Sequence, residues 1–441
     1  MNPDFHHNVI LFFLQIGVML SVALAAGQAI RQWGQPAVLG ELIGGILLGP
    51  TVFGMLFPEY SAWLFPGSSE VTHWREAMVR LGMLFFLFVA GLEINLAAVG
   101  ERKWSALGAS ALGIFVPFTL GCGAVMLWPG FWGAKAANNQ VVFALFLGTA
   151  LSISALPVIA RILMDLNLLR TGVGSVSMCA AAANDLIGWS VFAILLAMVQ
   201  PNPSPHSVIV VLGTVAVFAA TVLVLGRYGG RPLLGPAKRL LAWPSGFLGL
   251  TIVAILASAS AAEIVGIHGI FGAFLLGVAL GRGPHTEDVS QAHDIIHQFS
   301  ISIFVPLYCV SVGLKANFAT SFDPLLVGLV LGIASIGKLL GGGLGARAGG
   351  MPWRQAWTVG FILNARGAME IILATLALET GLIDERVFVA LVVMALVTSM
   401  LSGPVVQRLV QGSGKTVPSI LQSDELHGGR DEHSPFKSST R

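Results

Sequence analysis

The sequence has 441 residues, of which 55% are hydrophobic and only 10% are charged, and its mean hydropathy is +0.82. A typical soluble domain carries about 25% charged residues. The composition therefore excludes an ordinary soluble protein and predicts a polytopic membrane protein. The net charge of +2 gives no support to nucleic-acid binding.

The chain divides into thirteen apolar segments that are long enough, or nearly long enough, to cross a hydrocarbon core about 30 Å thick. Lipid offers no partners to backbone polar groups, so each segment is predicted to be helical, and the long unbroken apolar runs exclude a transmembrane β-barrel. The predicted segments are 7–30, 36–57, 77–97, 104–128, 140–164, 171–200, 206–226, 245–265, 268–284, 295–315, 324–346, 353–378 and 387–411.

The distribution of Lys and Arg predicts the orientation in the membrane. An odd number of crossings puts the termini on opposite sides, and basic residues are denser in the loops on the side of the C-terminus, most of all after the seventh segment. We therefore expect the N-terminus outside and the C-terminus in the cytoplasm, in a cell (inner) membrane. The polar stretch 412–441 is predicted to be a disordered cytoplasmic tail.

The sixth segment carries the clearest functional signal. Residues 171–200 contain one formal charge, Asp185, which follows the amide Asn184. A carboxylate at the centre of a membrane helix costs about 2.5–3.5 kcal/mol on insertion scales, so it is expected to face a protein interior or an aqueous cavity and to mark an ion or proton pathway. The alternative is a structural Asp185 that caps a broken helix or pairs with a buried base.

Two pairs of segments share a residue pattern. GELIGGILLGP (40–50) in the second segment is matched by HGIFGAFLLGVALGRG (268–283) in the ninth, and FLFVAGLEINL (86–96) in the third by VPLYCVSVGLKANF (305–318) in the tenth. The second and ninth segments run in opposite directions, which predicts inverted repeats of segments 1–6 and 8–13 with segment 7 as a linker. Inverted repeats are typical of secondary transporters, whose substrate sites lie near the bilayer midplane at discontinuous helices.

The fifth segment holds the first predicted helix break. Pro157 removes a backbone donor and disfavours helix at the residue before it. Carbonyl groups over residues 149–154, a stretch that includes Thr149 and Ser152, are therefore expected to be free. The alternative is a simple proline kink that is filled by hydroxyl groups.

The twelfth segment holds the second predicted break, at the corresponding depth. Asn364 and Gly367 interrupt it, beside Arg366 and Glu370. The alternative is a pair between Arg366 and Glu370 at i,i+4 spacing, which neutralises itself.

Six ordered motifs resemble the monovalent cation:proton antiporter family 2 of the sodium/hydrogen exchanger superfamily. The similarity covers about residues 8–410, and it extends to the plant cation/hydrogen exchanger branch of that family. The motifs are QPAVLGELIGGILLGP (35–50), FVAGLEI (88–94), SALPVIARIL (154–163), AAANDLIGW (181–189), GKLLGG (337–342) and LNARGAMEI (363–371).

The resemblance implies a homodimer of transmembrane exchanger domains, with the fifth and twelfth segments as discontinuous crossing helices. A mobile core domain would move like an elevator against a dimerisation domain, and Asp185 would be the family aspartate that binds either the cation or protons. The implied parts of the exchanger domain (1–411) are a dimer scaffold at about 7–97 and 245–315, a core at about 104–200 and 324–411, and a linker helix at 206–226.

Two departures from the family pattern concern charge. Electrogenic members have an acid at the position of Asn184, and a lysine that matches Lys338 pairs with that acid. Because Asn184 carries no charge, Lys338 is expected to lie near Asp185 or a carbonyl instead. Ala180 stands where electroneutral sodium/proton exchangers often have an acid for the arginine, so Arg366 is expected to pair with Glu370.

These residues predict exchange of Na⁺ or K⁺ for H⁺. The expected oxygen ligands are Asp185, Asn184, Thr149 and Ser152, and the supporting charges are those of Lys338, Arg366 and Glu370. A proton and a cation would compete for one carboxylate, and the neutral Asn184 favours one-for-one exchange without net charge.

No cofactor, no metal other than the transported cation and no enzymatic activity are expected, because the segments hold no Ser/His or metal-ligand cluster at helical spacing. The expected partners are the ions, the lipid bilayer and a second copy of the chain. The alternatives are a monovalent cation channel or uniporter and an ion-sensing membrane protein. Counterflow of protons distinguishes an antiporter from these.

Overall fold

The computed structural model describes residues 3–33, 35, 37–66, 70–93, 102–169, 171–198, 205–226, 245–281, 294–315 and 317–411. The regular structure of these residues is helical. The predicted tail 412–441 lies outside the described residues.

The helices of the N-terminal half are α1 (Pro3–Gln32), α2 (Ala37–Leu48), α3 (Phe53–Leu56), α4 (Pro58–Leu64), α5 (Glu70–Glu93), α6 (Lys103–Leu127), α7 (Ala134–Asn138), α8 (Gln140–Ser152), α9 (Leu156–Asp165), α10 (Gly172–Met198) and α11 (Pro205–Val224). Those of the C-terminal half are α12 (Ser245–Ile264), α13 (Gly269–Leu280), α14 (Val305–Lys315), α15 (Phe318–Ser321), α16 (Pro324–Ala348), α17 (Trp353–Leu363), α18 (Ala368–Glu379) and α19 (Glu385–Gln411). A π-helical turn, Ser300–Phe304, precedes α14.

Each predicted apolar segment overlaps one of these helices or an interrupted pair. Among the described residues, seven helices are long and apolar enough to cross a membrane, and four further apolar helices are shorter. The prediction of an all-helical membrane protein with multiple apolar spans is therefore confirmed.

Two of the predicted segment boundaries are wrong. The third segment begins at Glu70 rather than at 77, because the first turns of α5 carry charged residues that an apolar window rejects. The second segment ends at Leu48 rather than at 57, since the following residues turn and form α3 and α4.

Four glycines allow two pairs of helices to cross in close contact. In the contact of α2 with α14, a Cβ atom on Gly45 or Gly313 would overlap the backbone of the opposite helix. In the contact of α5 with α13, the same holds for Gly91 and Gly277. Small residues at a membrane helix interface permit this close approach. The second segment thus packs on the tenth, and the third packs on the ninth.

A second group of helices surrounds α6 and α16, which pack against each other along their length. Helix α8 packs on α6, α17 packs on α16, and α10 contacts α6, α8 and α17. The middle of α10, where the sequence places Asp185, is therefore enclosed by helices from both halves of the chain.

Candidate functional site

Asp185 and Asn184 lie side by side in the middle of α10 and are each only 1% exposed. The helix runs unbroken through this position, so Asp185 does not cap a helix end. Burial of both polar side chains in a helix of this length agrees with an interior site rather than a lipid-facing one.

Lys338 of α16 is fully buried and approaches the Asn184 amide. When the amide oxygen faces Lys338, it accepts a hydrogen bond from Nζ at 3.0 Å, while the amide nitrogen donates to the Ala180 carbonyl at 3.0 Å. This orientation satisfies both ends of the amide, and the hydrogen-bond network is what assigns it. Lys338 also interacts electrostatically with Arg366, Glu370 and Asp185.

The lysine was expected near Asp185 or a carbonyl, and it interacts electrostatically with Asp185. Its hydrogen-bond partner in this amide orientation is the side-chain oxygen of Asn184, which the sequence analysis expected to be a cation ligand.

Two serines flank the same amide. Ser110 Oγ of α6 and Ser154 Oγ, which follows α8, lie 3.4 and 3.5 Å from its two terminal atoms. Ser154 lies within the predicted break of the fifth segment, whereas Ser110 was not predicted, because it is one small polar residue among many in apolar helices. Their role depends on contacts over 74 and 30 residues of chain.

The two interruptions meet beside this site. Helix α8 ends at Ser152 and α9 begins at Leu156, and Ile153 and Ala155 between them are extended. Helix α17 ends at Leu363 and α18 begins at Ala368. Across the gap, the Ala155 N–H donates to the Ala365 carbonyl at 3.0 Å.

Three predicted break residues lie at these interruptions. Pro157 is in the first turn of α9, and Asn364 follows the last residue of α17. Gly367 is extended, with φ −177°, and a Cβ there would lie 2.9 Å from Val158 Cγ2. Close packing of the two interrupted segments therefore favours glycine at this position.

Arg366 occupies the carbonyl end of α8. Its guanidinium donates to the carbonyls of Ala150 (3.0 Å), Leu151 (2.6 Å) and Ile153 (3.3 Å). The last carbonyls of a helix carry a partial negative charge that a cation stabilises. The expectation of free carbonyls at this break is therefore wrong for these three groups, because a buried arginine from the other half of the chain uses them.

Glu370 also accepts from Arg366, at 2.7 Å, and both side chains are almost fully buried. The i,i+4 spacing puts the two side chains within reach of each other, and the ion pair expected from the sequence is present. Ser399 of α19 donates a hydrogen bond to the backbone carbonyl of Arg366. Arg366 is thus held by α8, α18 and α19.

Thr149 and Ser152 lie in the last turns of α8 and are buried. Thr149 Oγ1 donates to the Leu145 carbonyl at 2.7 Å, and Ser152 Oγ donates to Gly148 (2.6 Å) and Ile114 (3.1 Å). A hydroxyl that donates its proton keeps lone pairs on oxygen. Both groups therefore remain competent to coordinate a cation.

Residues 17–412 match the family model described as "Sodium/hydrogen exchanger, transmembrane". The chain belongs to this family. The family is one of transmembrane exchangers, and the chain is accordingly a multi-pass membrane protein. The resemblance inferred from the six motifs is confirmed.

Curated relatives extend the match. The chain is 34% identical to "Cation/H(+) antiporter 18" of Arabidopsis thaliana over 412 residues, which cover 90% of this chain and 48% of that protein. It is 29% identical to "Na(+)/H(+) antiporter NhaS4" of Synechocystis, over 91% of this chain and 98% of that protein. The chain spans about half the length of the plant relatives that it matches.

A solved structure shows the same fold. The sodium proton antiporter MjNhaP1 from Methanocaldococcus jannaschii superposes with a TM-score of 0.64 at 14% sequence identity, over 91% of this chain and 98% of that one. At this identity, the comparison supports the fold of the helical bundle.

Proposed function

We propose that this protein exchanges a monovalent cation, Na⁺ or K⁺, for H⁺, and that Asp185 is the group that both ions occupy. The observation that carries the proposal is the buried Asp185, beside an amide that is held by Lys338. Family membership and the names of the matched relatives support the same reaction.

Competition for one carboxylate couples the two ions. A charged carboxylate in a dry site is unfavourable, and either a proton or a cation neutralises it. A core with Asp185 neutralised can cross the membrane, whereas an empty anionic core cannot. Each crossing in one direction with a cation is therefore matched by a return with a proton.

The proposed cation ligands are the Asp185 carboxylate and the hydroxyl oxygens of Thr149 and Ser152. Asn184 contributes by fixing Lys338, and its oxygen becomes a ligand only when the amide leaves that lysine. Arg366 and Glu370 stabilise the two interruptions, since the guanidinium neutralises both the α8 carbonyl end and the adjacent acid.

We further propose an inverted-repeat architecture with discontinuous crossing helices at α8/α9 and α17/α18. The repeat relates α2 to α13 and α5 to α14. It therefore predicts that a contact of α2 with α14 is accompanied by a contact of α13 with α5, and the presence of both contacts supports it. The proposed dimer scaffold is α1–α5 with α12–α14, and the mobile core is α6–α10 with α16–α19. The homodimer, the outside N-terminus, the cytoplasmic C-terminus and the cell membrane complete this proposal.

Purified protein in liposomes with an internal pH dye tests the function. Addition of Na⁺, K⁺ or Li⁺ outside proton-loaded vesicles is expected to drive proton efflux, and Asp185→Asn is expected to reduce that flux to the level of empty vesicles. Asp294→Asn, a matched change at an exposed acid, is expected to retain the flux. Undiminished exchange by the Asp185 variant would contradict the proposal, and cation flux without proton counterflow would instead indicate a channel or uniporter.

A further inference from the structure

Glu379 joins the core to the scaffold through two basic residues. Its Oε1 atom lies 2.5 Å from Lys315 Nζ at the end of α14, and its Oε2 atom lies 4.0 Å from Arg80 on α5. Glu379 and Lys315 are about two-thirds buried. A basic residue on each of two scaffold helices thus faces one acid at the end of a core helix.

The position of Glu379 in its own helix does not explain why an acid stands there. Glu379 is the last residue of α18, where the partial negative charge of the helix end disfavours a carboxylate. The two basic partners offset that cost, and both belong to the other bundle. The pair therefore favours one relative position of the two bundles.

A cavity of about 270 Å³ adjoins this ion pair. Its described lining residues come from α2, α4, α5, α14 and their connections, with Glu379 as the one contribution from the core. Ser311, which lines the cavity, is only 7% exposed. The cavity is thus a scaffold recess that Glu379 helps to close.

We propose that Glu379, with Lys315 and Arg80, is an interbundle latch that must open before the core can move. The latch rests on the proposed function, because it needs a core that slides past the scaffold. While it is closed, it stabilises the observed arrangement and restricts entry to the recess. Other charged groups lie close to the latch. His268 interacts electrostatically with Arg80 and Glu379 and lies beside Glu263, and Arg75 and Glu76 line the recess together with Arg80.

A second ion pair of similar geometry provides a control. Arg386 of α19 lies 2.5 Å from Asp323, the N-cap of α16, so this pair joins two helices of the core. The backbone N–H of Leu326 and the guanidinium of Arg386 hold the pKa of Asp323 below its ordinary value. Since both partners move with the core, this pair is not part of the latch.

Reversible cross-linking tests whether the latch must open. Cys122, Cys179 and Cys309 are first changed to alanine. In that background, the two cysteines of the Arg80→Cys/Glu379→Cys variant are cross-linked in liposomes with a bifunctional methanethiosulfonate reagent. Cross-linking is expected to lower cation/proton exchange by about tenfold or more, and reductant is expected to restore it. The Asp323→Cys/Arg386→Cys pair, treated identically, is expected to keep its exchange rate.

The possible outcomes separate the two proposals. Exchange that persists at more than half its rate in fully cross-linked Arg80→Cys/Glu379→Cys overturns the latch but leaves the antiporter intact. If the unsubstituted protein exchanges no cation for protons in the same liposomes, that result contradicts the proposed function itself.

Thiol labelling supplies a test that does not depend on transport. Ser311→Cys is labelled with a membrane-impermeant maleimide in the same cysteine-free background. Glu379→Gln and Lys315→Gln are each expected to speed labelling about threefold or more, and the double variant is expected to be no faster than the faster single one. Unchanged labelling in both single variants, or fully multiplicative effects in the double variant, would overturn the latch.

Discussion

A single buried lysine sets the charge balance around Asp185. Lys338 donates to Asn184 and interacts electrostatically with Asp185, so its positive charge weakens binding of any further cation. Lys338→Met is therefore expected to lower the half-saturating Na⁺ or K⁺ concentration severalfold in the liposome assay. It is also expected to lower the melting temperature, since an unpaired buried amide oxygen costs about 1–3 kcal/mol.

Lys135→Met is the matched control for this change. Lys135 is exposed on α7, so its loss removes the same charge without touching the site, and neither apparent affinity nor melting temperature is expected to change. A half-saturating concentration that rises in Lys338→Met would show that Lys338 assists cation binding, against this expectation.

At the residue scale, local spacing predicted part of the site and long-range contacts decided the rest. Asp185 is conspicuous as the one formal charge in the thirty residues 171–200, and Glu370 lies one helical turn from Arg366. The carbonyl partners of Arg366 lie 213–216 residues away, and no local pattern encodes them. The same applies to Lys338 and Asn184, which meet only because α6, α10 and α16 converge.

At the element scale, glycine placement determines how closely the helices cross. Gly277 on α13 faces the backbone of Phe88, so a Cβ there would overlap it. Gly277→Ala is expected to destabilise the α5/α13 contact by about 1–3 kcal/mol, which is the usual cost of overpacking. A lower melting temperature of the detergent-solubilised protein measures this loss.

Gly328 and Gly332 provide the matched control within α16. An added Cβ at either position meets nothing within 4 Å, and alanine is favoured over glycine in a helix by about 1 kcal/mol. Gly328→Ala and Gly332→Ala are therefore expected to leave the melting temperature unchanged or higher. An equal loss of stability at all three positions would show that packing against α5 is not what requires glycine at 277.

Hydropathy predicted the long helices better than the short ones. A membrane span needs an apolar run that any window detects, which is why α6, α16 and α19 lie close to their predicted ranges. Helices α3 and α4 lie between two spans, are four and seven residues long, and have no periodic apolar face that sequence alone could reveal. The break in the fifth segment was predictable because proline acts on the backbone beside it.

At the scale of the whole molecule, the proposed repeat accounts for the way the two interrupted segments lie against each other. Residues 40–50 and 272–282 align without gaps at Gly40/Gly272, Gly45/Gly277 and Gly49/Gly281, and Gly45 and Gly277 both lie at close helix crossings. The two helices that the proposed repeat relates thus pack through glycines at equivalent positions. The groups that meet at the helix breaks could not be predicted, because the two halves differ there. The N-terminal half contributes backbone carbonyls, and the C-terminal half contributes the Arg366 side chain.

Stoichiometry is a property of the whole transport cycle, and the site makes a definite prediction about it. With one carboxylate at Asp185 and a neutral Asn184, the core carries the same net charge whether a cation or a proton is bound. Exchange is therefore expected to be insensitive to a membrane potential clamped with valinomycin in K⁺-containing vesicles, with Na⁺ as the driving ion. Net flux is expected to vanish when the Na⁺ ratio equals the proton ratio, whatever the voltage.

A potential-sensitive dye in parallel vesicles confirms that each clamp is established, and protein-free vesicles give the background proton leak. The null point is the pair of ion ratios at which net flux vanishes. If it shifts with voltage, the cations and the protons that move in opposite directions carry unequal numbers of charges. Lys338 would then be the group to examine, since it donates a hydrogen bond to Asn184 and interacts electrostatically with Asp185. A null point that stays fixed while Lys338→Met alters affinity would place the lysine outside the proton count and leave Asp185 as the single exchanging group.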